Sequence, residues 1–223
     1  MKKILFAILI LSSFECAGQS HYIGAIGGIN QTSITPYNIF HEHGYRTGIS
    51  AGLTYNYIKS KNRSFGAALI FNQRGFTNDI VILDELWRET GERYSTRFNY
   101  DYVSIPIKAT RYLGNRFFGF ASIGLIPSFL IKAQTINPII DRNRKLTESE
   151  TDDVTNQVSK FDLAGLAEIG GGYKVQNRYW TYISLALQHS ITTITNSSYF
   201  ANTEIRHNGM TLYIGLQYRL SKK

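Results

Sequence analysis

The sequence predicts an all-β fold: an eight-stranded antiparallel barrel that spans a membrane, with short periplasmic turns and long extracellular loops. Three observations lead there. Eight segments alternate apolar with small or polar residues at a period of two, near 21–31, 45–57, 64–76, 97–110, 116–132, 160–174, 179–191 and 208–220. The connections between them alternate short and long, as in outer-membrane barrels. The chain also opens with the features of an export signal.

At the N-terminus, Lys2 and Lys3 precede an apolar run from Ile4 to Leu11, and small residues follow. The run is well short of the roughly 20 residues that a spanning helix requires. Cys16 and Gly18 suit the −3 and −1 positions of a cleavage site before Gln19. We therefore expect residues 1–18 to be a signal peptide and 19–223 to form the barrel domain. A lipid anchor on Cys16 is the competing possibility, which Glu15 beside it disfavours. Cys16 is the sole cysteine, so no disulfide framework supports the exported domain. No later stretch is long and apolar enough for a helical span, which leaves a closed barrel as the spanning solution.

The strands are two-sided. In YRTGISAGLTYNY (45–57), the odd positions are apolar with aromatic ends and the even positions are small or polar. Residues 179–187 and 210–220 repeat the pattern, with Ile183, Leu185 and Leu187 in one and Leu212, Ile214 and Leu216 in the other. Residues 58–63, 111–115 and 175–178 read as short turns; 32–44, 77–96, 133–159 and 192–207 read as long polar loops.

Charge follows the same division. Lys59, Lys61, Arg63, Arg111, Arg116, Lys174, Arg178, Lys222 and Lys223 gather at the short-turn end without an acid, while the long loops hold twelve acids against six bases. The net charge of +8 could suggest nucleic acid. A basic rim with no basic helix or stacking platform excludes that reading and suits lipid headgroups.

A soluble lipocalin-like barrel would turn the apolar faces inward, and a membrane barrel turns them outward. Arg46, Arg74, Lys108, Lys132, Asp162, Glu168 and Arg219 share a face with Gly, Ser, Thr and Asn, too sparsely charged for a soluble exterior. Aromatics also gather near strand ends: Tyr45, Tyr55, Tyr57, Tyr100, Tyr102, Phe117, Phe118, Tyr173, Tyr179 and Trp180, as interfacial girdles would. The apolar face is expected to meet lipid.

With the strands placed, GAALIFNQRGF (66–76), YDYVSIPIKATRYLG (100–114), FDLAGLAEIGGGYKV (161–175), LALQHSITTITN (185–196) and HNGMTLYIGLQYRL (207–220) resemble the PorT-like family of outer-membrane β-barrels. The Tyr-x-x-Ile-Pro element at Tyr102–Pro106 is its most specific part. Val103 and Ser104 depart from the family's frequent Leu and Glu, and the SKK ending departs from its frequent terminal aromatic. The resemblance implies an eight-stranded outer-membrane barrel, with some relatives serving protein secretion. It supplies no catalytic residues.

On the lumen face, Glu168 and Asp162 are expected to pair with some of Arg46, Arg74, Lys108 and Arg219 as a structural plug, since a barrel of this size leaves no open channel. A proton or solute path is the alternative. Pro106 should mark a bulge or bend in the fourth strand. Gly170, Gly171 and Gly172 should allow bending or close packing. No catalytic site is expected: His189 and Ser190 are adjacent in a strand and point to opposite faces. No cofactor or metal is expected either, although His41, Glu42 and His43 offer three ligands in a row. The N-x-S/T triplets at Asn30, Asn62 and Asn196 are at chance level. In 77–96, Trp87 lies among Ile80, Val81, Ile82, Leu83 and Leu86, either as an exterior contact or packed over the barrel mouth. Residues 141–157 are polar and expected to be mobile.

The expectation is a structural, scaffold or secretion-accessory protein without catalysis. Its partners would be outer-membrane lipids, the assembly machinery and envelope secretion proteins, with no nucleic acid. A small-solute channel and a soluble periplasmic ligand-binding barrel are the alternatives.

Overall fold

The computed structural model describes residues 20–35, 43–60, 62–83, 86, 88–140, 146–176, 178–195 and 204–220. Ten strands in chain order are β1 (Ser20–Thr35), β2 (His43–Ser60), β3 (Arg63–Leu83), β4 (Glu89–Ser104), β5 (Ile107–Gly114), β6 (Phe117–Ile140), β7 (Leu146–Asp153), β8 (Phe161–Val175), β9 (Tyr179–Ser190) and β10 (Arg206–Arg219). All pairings are antiparallel. β1 pairs with both β2 and β10, and the sheet closes into a ring in which β4 and β5 together serve as one of eight strands. Closure leaves no open edge in the part facing lipid, so the backbone polar groups are paired within the ring.

The outward face is apolar. Ile49, Leu53, Leu69, Ile123, Ile169, Ile183 and Ile214 are all more than half exposed, which water would disfavour and a bilayer accepts. In 45–57 it is the odd residues that face out, so the apolar side of that strand meets lipid.

Several expectations are corrected. Tyr100, Tyr102, Phe118 and Trp180 are not girdle residues; they are buried inside the barrel. Each holds an even position opposite the lipid face, so strand parity takes precedence over residue type. Lys132 faces outward instead of into the lumen. A register shift opposite Asp101 and Tyr102 inserts an extra residue in β6, and Ile131 and Lys132 are both exposed before Ala133 turns inward.

Pro106 interrupts the fourth strand without shifting its register. Ala68 N donates to Pro106 O at 3.0 Å and Ile105 N to Pro127 O at 2.8 Å, and the ladders to β3 and β6 continue in register on both sides. What Pro106 removes is its own donor.

Two of the long polar connections, 77–96 and 133–159, are largely strand among the described residues. β3 and β4 stay paired to Leu83 and Glu89, and the β-branched Ile80, Val81 and Ile82 favour that extension. β6 and β7 continue the sheet from Gln134↔Asp153 to Ile140↔Leu146, so within 141–157 residues 146–153 form a strand. Residues 1–19, His41, Glu42, Trp87 and Asn196 lie outside the described residues.

An arginine on the lipid face tests the orientation. Leu53→Arg is expected to lower the unfolding free energy in lipid vesicles by about 2–4 kcal/mol, and Thr47→Arg, nearer the outer end, by about 0–1 kcal/mol. Urea titrations of both variants would check this; equal, negligible losses would contradict a lipid-facing wall.

Candidate functional site

The lumen is the place to look for function, and it is filled. β8 carries its plan from one mouth to the other, because alternate residues point inward: Asp162, Ala164, Glu168, Gly170, Gly172 and Lys174. The six residues from Asp162 to Glu168 span about 20 Å of strand, so the two carboxylates occupy separate levels.

At the upper level, Arg74 and Asp162 form an ion pair, Nη1 to Oδ2 at 2.6 Å, with side-chain exposures of 0% and 1%. Arg74 Nη2 also donates to Ser128 Oγ at 2.9 Å and Ser104 Oγ at 3.3 Å, and its guanidinium lies 4.9 Å from the Tyr102 ring centroid. Asp162 accepts from Ser190 Oγ at 3.0 Å and Thr192 Oγ1 at 3.1 Å. Such additional bonds are what a desolvated ion pair needs to be tolerated. At the lower level, Lys108 pairs with Glu168, and Ser184 Oγ donates to Glu168 Oε1 at 2.7 Å.

The other two candidate bases have neutral partners. Arg46 Nε donates to Asn99 Oδ1, and its Nη1 to the Arg74 carbonyl at 3.2 Å. It crosses β3 at Gly75, where an added Cβ would meet Arg46 Cδ at 2.7 Å and Phe98 O at 1.9 Å. Arg219 bonds Ser20 Oγ at 2.7 Å near the short-turn end. The expected network therefore divides into two carboxylate pairs and two separately anchored arginines.

Apolar layers enclose these pairs. Below them, Tyr22, Tyr112, Phe118, Phe120, Trp180, Tyr182 and Tyr213 form a buried cluster with Ile26, Ile58 and Ile70. Glycines make room for these rings. An added Cβ at Gly170 would come within 2.6 Å of Phe120, at Gly172 within 2.6 Å of Phe118, and at Gly215 within 2.2 Å of Tyr182. Gly170 and Gly172 thus serve close packing. Above the pairs, Phe76, Phe98, Tyr100 and Tyr102 pack with Val154, Val158, Ile194 and Ile205. The outer mouth is accordingly capped by residues 154–160 and 191–195 together with Ile205. Ser159 N donates to Ile194 O at 2.9 Å, and Ile194 N to Ile205 O at 2.8 Å. Thr155 pins the cap: Ala133 N donates to its hydroxyl at 2.9 Å. Hydrogen bonds from Thr155 also hold the exposed Asp153 below the ordinary carboxylate range.

The space left beside Lys108 and Glu168, bounded also by Thr54, Gln188 and Tyr213, is about 30 Å³, room for only a few waters. His189 is exposed outside while Ser190 is turned in to Asp162, so those two do not converge. Asn30 is buried and bonded to Asn72 Oδ1 at 2.7 Å. The residues that complete the site but were not singled out from sequence, Ser128, Ser184 and Thr192, are common polar types; Ser104 and Ser190 stand out in the sequence for other reasons. Only their inward parity could have marked the serines.

The geometry defines an integral outer-membrane β-barrel protein, and comparison with known proteins agrees. The chain belongs to the family described as outer membrane protein beta-barrel domain, matched over residues 18–221. Among solved structures it resembles Neisserial surface protein A, with TM-score 0.52 and 12% identity over 90% of this chain and 98% of that one. It is also similar to OprG of Pseudomonas aeruginosa, with TM-score 0.48 and 11% identity over 92% and 97%. At these identities the likeness concerns the fold. No curated protein sequence matches.

Breaking the upper pair should be costly. Asp162→Asn leaves a buried guanidinium without its counter-charge and is expected to lose about 3–5 kcal/mol, while Arg74→Met with Asp162→Leu should recover most of that loss. Unfolding free energies of the three variants in vesicles test this; a double variant as unstable as Asp162→Asn would contradict it. Glu168→Gln should lower the unfolding temperature in detergent, and an unchanged temperature would argue against a structural role for the lower pair.

Proposed function

We propose that this chain is a non-conducting, non-enzymatic scaffold of the outer membrane, whose mouths engage other envelope proteins as an accessory to processes such as protein secretion. The observation that carries this reading is the filled lumen, with its two ion-paired levels between two apolar layers. A solute path would require these layers to part, and a fully buried Arg74–Asp162 pair opposes that opening. The secretion component rests on the PorT-like resemblance of segments such as Tyr102–Pro106, and fold alone does not fix it. The proposal of no catalysis is supported by the inward, bonded position of Ser190 and the outward position of His189.

Two experiments test the proposal. Purified protein in planar bilayers is expected to give no discrete conductance steps; reproducible steps would favour a small-solute channel. Deletion in the native host is expected to trap normally secreted proteins in the periplasm, and unchanged secreted and periplasmic fractions would remove the secretion component.

A further inference from the structure

The basic rim reads from sequence as a headgroup contact, yet its Lys174 turns toward the lumen and faces the same mouth as Arg219, the lumen-face arginine nearest that rim. Lys174 Nζ lies 4.4 Å from the Trp180 ring centroid and 5.3 Å from that of Phe118, and both rings are buried inside the barrel. Arg219 is half-buried; its Nη2 donates to Ser20, while its buried Nε has no acceptor among the described residues. Together with Arg116 they line an open cavity of about 770 Å³ at the short-turn mouth, floored by Tyr22, Ile58 and Trp180. Among the described residues no carboxylate lines this cavity, and none occurs in residues 58–63, 111–116 or 174–178.

Three cations in a concave, partly apolar site hold an uncompensated positive potential. They come from the turn before β6, the end of β8 and the end of β10, so they are spread around the mouth and suit a ligand with more than one anionic group. The barrel strands separate the cavity from the surrounding leaflet, so a lipid headgroup could reach it only by leaving the bilayer. The volume falls within the range of roughly 300–1,000 Å³ typical of ligand pockets. The aromatic floor offers contact for side-chain carbon as well as charge.

We propose that this vestibule binds an acidic, extended peptide segment of a partner protein on the periplasmic side. This gives the scaffold reading a partner chemistry and rests on it, though not on any role in secretion. Arg116, Lys174 and Arg219 would hold carboxylates, and Trp180 would report occupancy.

The test uses full-length mature protein in detergent with Trp87→Phe, which leaves Trp180 as the single tryptophan. Titration with tetraglutamate is expected to give a saturable change in Trp180 emission that weakens as salt rises. Lys174→Gln with Arg219→Gln should weaken the apparent affinity by about tenfold or more, with tetraglutamine as a non-binding control. Heat-dependent gel mobility checks that the variants fold. Should the double variant fail that check, Arg116→Gln alone and the salt dependence of the unsubstituted vestibule carry the test. Absence of saturation, a response that survives loss of the cations, or equal affinity for inorganic phosphate would each overturn the peptide assignment. None of those results alters the conductance or deletion outcomes, so failure here is distinguishable from failure of the scaffold reading.

Discussion

A ring of eight strands closes around a space only a side chain or two across, and the rest of this structure follows from that confinement. The bilayer occupies the outside, so every residue that is not apolar must go inward or to a mouth. An interior that narrow cannot keep its charges hydrated. Arg74 and Lys108 therefore each meet a carboxylate, and Asp162 and Glu168 in turn collect hydroxyl donors. The same confinement explains Gly170, Gly172 and Gly215, which stand where a ring from a facing or neighbouring strand needs the volume of a Cβ.

The interior is graded along the barrel. Its outer end is sealed by aromatics and by chain folded back over the mouth, its centre holds the two ion pairs, and its inner end opens into a basic vestibule. This ordering separates stability from recognition. The central pairs are buried, with each carboxylate held by a base and by hydroxyl donors, so they resist change and leave little for a ligand. Of the vestibule cations, Lys174 stacks on Trp180, Arg219 is half-buried and Arg116 is exposed, and none has a carboxylate partner among the described residues, which leaves their charge available.

The exterior end is built differently. β3–β4 and β6–β7 carry the sheet beyond the ring, and the acidic residues of LTESETDD stand on a strand paired on one side with β6. Charge on such an outer strand discourages edge-to-edge association. The acidic outer hairpins and the basic inner rim thus give the two mouths opposite electrostatic character across one membrane.

Strand alternation, the even strand count of the ring and the placement of Arg74, Asp162, Lys108 and Glu168 on one face were all legible in the sequence, because side chains on a strand alternate strictly and a lipid-facing wall must be apolar. Parity also contained the inward direction of Tyr100, Tyr102, Phe118 and Trp180, but aromatic residues near strand ends equally match interfacial girdles, and residue type pointed the wrong way. Lys132 could not be placed because a single inserted residue at the bulge reverses every later side chain. Pairing partners depend on register across strands distant in sequence, such as Arg74 with Asp162, and on the neutral hydroxyls around them. The sequence by itself determined a membrane barrel with a polar, sparsely charged interior. Only the tertiary structure decided that this interior is filled by side chains, that residues 154–160 and 191–195 with Ile205 seal its outer mouth, and that Lys174 of the basic rim turns inward, since each depends on which side chains meet across the closed ring.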